Sequence, residues 1–343
     1  MGPSQVAPFA LDLVCLGEAM VEFNQSRDEP TRYTAGFGGD TSNCAIAAAR
    51  IGAKSGYITQ LGDDVFGQQL LALWRDEGVD SVGVRVVPDT ETGVYFVTHG
   101  PQGHAFTYRR RNSAASRMSA GEAAFMPCLQ QATRARTLHV SGISQAISSS
   151  ARDAVFAAIA LARGHGVRVS YDLNFRPRLW SVEAARPVVE RTVAMCDIFL
   201  PSVDESALLA GTRTPQEALQ WAHGLGAPTV LLKLGAEGCW VSQRGGGAQH
   251  PGLRRGGPAT NLAAGASGDD GPSLMRVEAA VRGLVLSGGG ARGGAHIGVL
   301  RVLEDPAPPK PVTATRCSSS WTLSSARCTW LTGAPARATR RCI

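Results

Sequence analysis

The chain has 343 residues, of which 44% are hydrophobic and 18% charged, and its formal net charge is +6. That length holds one large α/β domain or two smaller ones, and the composition is that of a globular protein, not of a fibrous or disordered one. No apolar run approaches the ~18–20 residues that a membrane span requires, and eight scattered cysteines without CxxC spacing fit free thiols better than a disulfide framework or a zinc site.

The N-terminus has no basic region, and Asp12 interrupts its apolar stretch. Pro3 and the lack of Ser or Thr at position 6 also fail the myristoylation pattern, so a cytoplasmic protein without a membrane partner is expected. Residues 11–16 predict a first buried strand, closed by Gly17-Glu18. The most informative segment follows: Gly36-Phe37-Gly38-Gly39-Asp40-Thr41-Ser42-Asn43, ahead of an Ala-rich run to Ala53. Glycines let backbone approach a ligand, Ser42 or Asn43 can cap the helix that begins there, and small alanines suit tight packing on a sheet. The segment reads either as a site for a polyhydroxylated ligand or as an ordinary glycine turn before a buried helix.

Residues 55–61 predict a second strand ending at Gly62-Asp63-Asp64, and 66–77 a helix. Short strands at 84–87, 94–98 and 105–109 break the rhythm and suggest a small β lid. Strands at 138–141, 167–172, 198–201 and 229–234 then alternate with helices at 151–163, 182–195 and 215–223. That alternation predicts a doubly covered parallel sheet, with ligands beyond the carboxyl ends of its strands.

Several polar groups fall at those ends. Asp172, Asn174 and Arg176 alternate after one strand, and an arginine there grips a carboxylate or phosphate. Tyr95, Tyr108 and Arg110 lie in the lid; packing and a solvated basic face are the plain alternatives. Glu205 is suited either to orienting magnesium-bound water or to a helix N-terminus. Lys233-Leu234-Gly235-Ala236-Glu237-Gly238 ends a strand in a turn able to approach a nucleotide.

Together these segments resemble the ribokinase-like (PfkB) carbohydrate kinases over about residues 11–243. The motifs are Gly38-Gly39-Asp40-Thr41-Ser42-Asn43, Gly62-Asp63-Asp64-Val65-Phe66-Gly67, Tyr108-x-Arg110, Asp172-x-Asn174-x-Arg176-x-x-Leu179-Trp180, Pro201-x-x-x-Glu205 and Lys233-Leu234-Gly235-x-x-Gly238. GGDTxN, YxR and DxNxRxxLW most resemble the 2-keto-3-deoxygluconate kinases. The resemblance implies a ribokinase-like α/β fold, ATP and Mg2+ as cofactors, and phosphorylation of a sugar-acid hydroxyl. Gly38, Gly39 and Asn43 would bind substrate hydroxyls. Tyr95, Tyr108, Arg110 and Arg176 would hold the keto-acid end. Asn174, Lys233, Gly235 and Gly238 would lie towards ATP, and Glu205 near the metal waters. A fructokinase-like activity and a non-catalytic sugar-binding remnant are the alternatives, and the sequence leaves a homo-oligomer open.

Beyond residue 243 the resemblance breaks. The family's GAGD motif is missing; Gly265-Ala266-Ser267-Gly268-Asp269 is the nearest string, which makes Asp269 the candidate base. Residues 244–281 are Gly/Ala/Pro-rich with no clear element. A strand–loop–helix pattern over 282–304 resembles the opening of patatin-like acyl hydrolases, yet the G-x-S-x-G elbow that such a hydrolase needs is missing. Residues 305–343 read as a tail of low order. From residue 244 on, 13 Lys and Arg face 5 Asp and Glu. Without interleaved aromatics they do not suggest nucleic-acid binding. A reading frame disrupted after about Gln243 would account for both breaks.

Overall fold

The structure, a computed structural model, describes residues 9–243 except 102, 236 and 237. Beyond 243 it describes only the backbone of short strands, the last ending at residue 299. Among the described residues, nine strands form the main sheet. They are β1 (Leu11–Leu16), β4 (Ser55–Gly62), β5 (Asp80–Val87), β8 (Ala135–Ser141), β9 (Arg168–Asp172), β10 (Ile198–Leu200), β11 (Thr229–Lys233), β12 (Gly238–Gln243) and β13 (Gly246–Pro251). Their order is β13-β12-β11-β10-β9-β8-β1-β4-β5. All pairings from β5 to β11 are parallel, and β12 and β13 add antiparallel strands at the far edge.

The chain leaves β1 towards β4 and β5 on one side and later towards β8–β11 on the other. The sheet therefore has its switch point between β1 and β8, where α/β folds bind ligands. β1 alternates accordingly. Leu13 and Cys15 join one buried cluster with Ala45, Ala48, Tyr57 and Trp74; Val14 and Leu16 join the other with Leu138, Val140, Ile159 and Val169. The described cysteines, Cys15, Cys44, Cys128, Cys196 and Cys239, are buried and outside any disulfide.

The helices begin where side chains answer their free amides. In α2 (Val65–Glu77), Asp64 accepts from Gly67 N–H at 2.7 Å, and the helix ends at left-handed Gly78. The helices Ser149–Gly164 and Val182–Val193 are capped by Ser148 and Ser181. α1 (Asp40–Arg50) differs: its N-cap is Gly39, at φ 120°, with no capping side chain. The expectation that Ser42 or Asn43 caps this helix is thus corrected. The helix starts three to four residues earlier, because Gly39 alone tolerates that φ, and both polar residues fall inside the first turns.

The lid is a separate four-stranded sheet, β3 (Tyr33–Gly38), β2 (Met20–Gln25), β6 (Val94–Gly100) and β7 (Gly103–Arg109), in that order. Two of its strands, β2 and β3, were not legible, because MVEFNQ and YTAGFG lack the β-branched alternation that marks strands. Residues 84–87, expected in the lid, belong to β5 instead. Helix α2 is a crossover from β4, which places β5 parallel beside it at the sheet edge.

Past residue 243, β13 lies within the stretch expected to be irregular; Gly246–Pro251 pairs with β12 as an edge hairpin. The expected strand at 282–304 is found as Gly283–Ser287. Where a helix was expected, His296–Val299 is a strand paired with it, and alternating Ile297 and Val299 suit that conformation. Asp269 and the tail from 305 lie outside the described residues.

Candidate functional site

At the carboxyl end of β1 and β8, the polar run that opens α1 is tied to its surroundings residue by residue. Asp40 Oδ1 accepts from Thr41 N–H at 2.9 Å. Its Oδ2 accepts from the Ser141 hydroxyl at the end of β8 and from Asn174 Nδ2 at 2.7 Å. Thr41 pairs with the Tyr57 hydroxyl at 2.9 Å, and Ser42 accepts from Trp74 Nε1 at 2.9 Å. Asn43 stands apart: its buried Oδ1 has no hydrogen-bond partner. Buried polar atoms are nearly always paired, so this oxygen departs from the rule. Asn174 reaches Asp40 from a left-handed backbone, φ 37°, just beyond β9.

Next to it a buried charge cluster joins two strand ends and the first turn of a helix. Lys233, the last residue of β11, puts Nζ 2.7 Å from Asp172 Oδ1 at the end of β9 and 3.7 Å from Glu205 Oε2. Glu205 lies in the helix Val203–Ala210, where it completes a capping box with Ser202 and also accepts from Phe175 N–H at 2.8 Å. Burial works against the Lys233 ammonium, but Asp172 and Glu205 outweigh it and hold its pKa up. Burial likewise works against the Glu205 carboxylate, and there Lys233 and the two amides win, so its pKa is lowered. For Asp172 burial wins, and its pKa is raised in spite of Lys233. Both Glu205 oxygens are engaged. No group of three or more His, Cys, Asp or Glu among the described residues is placed to hold a metal ion directly.

Arg176 follows on the same exit loop, half-buried, with Nη1 donating to the Phe175 carbonyl at 3.2 Å. Among the described residues it has no carboxylate partner, whereas Lys233 has two. Its charge is felt at Lys233. Arg178 Nη1 lies 3.4 Å from the Phe106 carbonyl of β7, so this loop also touches the lid. Gly235, exposed at φ 59°, and Gly238, at φ 105°, shape the turn after β11, which closes with Leu234 N–H on Gly238 O at 2.8 Å. Lys233 itself is held inside by its two carboxylates and does not face outward from that turn.

The lid presents a row of aromatic rings. Tyr95 and Tyr108 are cross-strand partners stacked at 5.6 Å, and Arg110 lies over the Tyr108 ring at 5.8 Å. The Tyr95 hydroxyl stands over Gly38 so closely that a Cβ there would collide with it. Gly38, Tyr95, Tyr108 and Arg110 are therefore contiguous, and Asn174 ties the Arg176 loop to the start of α1. Two glutamates that the sequence reading passed over sit behind these groups. Glu22 accepts the Tyr95 hydroxyl, and Glu18 forms a buried ion pair with Arg110. Burial raises the pKa of Glu22 in the face of hydrogen bonds from Tyr95 and Asn24. From Glu22 a polar line runs outward along the lid. Asn24 Nδ2 donates to it at 3.3 Å, Asn24 Oδ1 lies 2.9 Å from His99 Nε2, and the Nδ1 atoms of His99 and His104 are 2.6 Å apart. The signal for both glutamates was present in Gly17-Glu18-Ala19-Met20-Val21-Glu22: charged residues set among apolar ones right after a buried strand.

Three comparisons bear on this arrangement. A family model described as pfkB family carbohydrate kinase matches residues 10–259. The 2-dehydro-3-deoxygluconokinase of Thermoproteus tenax is 35% identical over 245 residues, covering 69% of this chain and 73% of the relative. Among solved structures, the PfkB protein from Polaromonas sp. JS666 aligns with a TM-score of 0.65 at 32% identity, covering 71% of this chain and 84% of that one. Fructokinase from Vibrio cholerae O395, in its fructose, ADP and calcium ion bound form, aligns with a TM-score of 0.63 at 27% identity, covering 74% and 80%. The patatin-like string at 282–304 draws no support from these matches. No helix among the described residues is long and apolar enough to cross a membrane.

Proposed function

The chain belongs to the pfkB family of carbohydrate kinases, and from that premise we propose that it transfers the γ-phosphoryl group of ATP, with Mg2+, to a hydroxyl of a sugar acid, 2-keto-3-deoxygluconate, giving the 6-phosphate. The observation that carries the acid in this reading is Arg176. Of the site cations, Lys233 is neutralised by Asp172 and Glu205, and Arg110 by Glu18. Arg176, half-buried and without a carboxylate partner among the described residues, is the one left to meet an external anion, and a guanidinium suits a carboxylate.

In this reading Gly38, Gly39 and the unpaired Oδ1 of Asn43 receive the sugar hydroxyls. Tyr108 and Arg110 flank the keto-acid end. The Tyr95 hydroxyl, whose proton goes to Glu22, offers lone pairs to a substrate hydroxyl. Asn174, Gly235 and Gly238 face the nucleotide. Lys233 acts from inside by keeping Glu205 ionised; Glu205 then acts on magnesium only through water, since the described carboxylates form no direct metal site. Magnesium would come with the nucleotide phosphates, whose charge it offsets. In the transfer, the substrate hydroxyl oxygen attacks the γ-phosphorus, its proton passes to a base, and ADP leaves; Asp269 is the candidate base.

The test is a coupled kinase assay on the purified full chain with acidic and neutral sugars, run beside Asp269→Ala. Turnover on 2-keto-3-deoxygluconate that exceeds turnover on fructose, and that is lost in Asp269→Ala, is expected. A preference for neutral sugars would overturn the acid reading, and equal activity of the two proteins would remove Asp269 as the base. Calorimetric binding of the acid without turnover would identify a sugar-binding remnant.

A further inference from the structure

Among the described residues the chain passes between the main sheet and the lid four times: from β1 to β2, from β3 to α1, from β5 to β6, and out of β7. All four passages meet at Glu18. It is itself the middle of the three-residue link from β1 to β2. Its carbonyl oxygen would lie 2.6 Å from a Cβ on Gly39, at the second passage, and its Oε1 would lie 2.8 Å from a Cβ on Gly93, at the third. At the fourth, Arg110 makes the ion pair with Oε2, and the Ser113 hydroxyl donates to Oε1 at 2.6 Å. The Glu18 and Arg110 side chains are only 1% and 12% exposed, so their attraction is little screened by solvent. Two glycines leave the room that the Glu18 backbone and carboxylate fill.

We infer that Glu18 is a positioning residue that sets the angle of the lid over the sugar site. It does so by binding the last passage, Arg110 and Ser113, to the first two, its own link and the Gly39 turn. It touches no substrate; it acts through Arg110 and through the backbone at Gly39. The sugar is therefore gripped in a geometry that Glu18 fixes, whereas nucleotide held by the turn after β11 is not. This rests on the sugar-kinase reading above only in placing the sugar beneath the lid; it does not require the sugar to be an acid.

The experiment compares the full chain with Glu18→Gln, which keeps size and removes the charge, and with Ser113→Ala, which removes one bond and leaves the ion pair. Affinity is measured by calorimetry for 2-keto-3-deoxygluconate, for fructose and for a non-hydrolysable ATP analogue with Mg2+, and amide hydrogen exchange is followed strand by strand. In Glu18→Gln the affinity for whichever sugar binds should fall about tenfold or more, the loss expected for a charge-assisted contact, with nucleotide affinity within about twofold. Exchange should quicken in β2, β6 and β7 and stay unchanged in β8 and β9. Ser113→Ala should show the same pattern at smaller size. Sugar and nucleotide affinities falling together, or exchange rising equally in lid and core, would make Glu18 merely structural and overturn the inference; so would unaltered lid exchange. Binding of fructose but not the acid would refute the acid reading alone and leave the Glu18 comparison intact on fructose. If Glu18→Gln does not fold, lid-selective exchange in Ser113→Ala decides.

Discussion

The two walls of the candidate site are built on different terms. At the strand ends, Lys233 sits inside the protein between Asp172 and Glu205, and Asp40 is bonded on both oxygens. The lid wall is mixed: Tyr95 and Arg110 are held by Glu22 and Glu18, while Tyr108 is 42% exposed. The first wall is suited to holding a fixed geometry for charge transfer, where preorganised dipoles matter most. The second is the wall that the proposed reading assigns to the sugar. Arg176 and Arg178 stand on the exit loop after β9, the first donating to the Phe175 carbonyl beside it and the second to the Phe106 carbonyl of the lid.

This contrast can be broken in order of expected effect. Lys233→Met leaves two buried carboxylates facing each other without their cation, and should cost about 3–5 kcal/mol in urea unfolding; a cost below 1 kcal/mol would mean that the strand-end wall is not the rigid one. Arg176→Ala should weaken 2-keto-3-deoxygluconate by about ten- to a hundredfold, the 1.5–3 kcal/mol of a charged hydrogen bond, with fructose unaffected; equal losses on both sugars would show a structural arginine. Gly39→Ala forces φ 120° on a residue with a Cβ that would lie 2.6 Å from the Glu18 carbonyl. A loss of about 1–3 kcal/mol is expected, read by thermal unfolding together with weakened sugar binding.

The next prediction separates the walls by the sign of their pH dependence. Glu205 has its pKa lowered, so its stabilisation is present above the ordinary value of 4.5 and fades as pH falls through the lowered one. Glu22 has its pKa raised, so its contribution is present below 4.5 and is lost as pH rises through the raised value. Glu22→Gln should therefore gain stability relative to the parent near pH 7 and gain none near pH 4; thermal melts at both pH values check this, and a gain confined to pH 4 would reverse the assignment. The smallest effect belongs to Arg178→Ala, whose long, exposed contact with Phe106 should matter by less than about 0.5 kcal/mol in the same melts.

The strand-end wall was largely legible in the sequence. Buried parallel strands announce themselves as apolar runs, and polar residues at their ends are conspicuous, which is how Asp172, Asn174, Arg176 and Lys233 were found. The lid was legible only in part. β6 and β7 are rich in aromatic residues, but β2 and β3 owe their pairing to each other and to β6, a non-local gain that no single segment displays. Val84–Val87 looked like lid for the same reason, since a β-rich run does not say which sheet it joins. The partners of the expected site residues were hidden as well. Nothing in a linear string shows that Arg110 meets Glu18, 92 positions earlier, or that Lys233 folds inward instead of outward.

The polar line along the lid has one more consequence. Asn24 turns its amide nitrogen to Glu22, so its oxygen can only accept from His99, and His99 must carry its ring proton on Nε2. Its Nδ1 is then a bare lone pair, and the proton shared with His104 must come from the His104 ring. A carboxylate in the lid strand β2 thus dictates the tautomers of two imidazoles at the far tip of the hairpin.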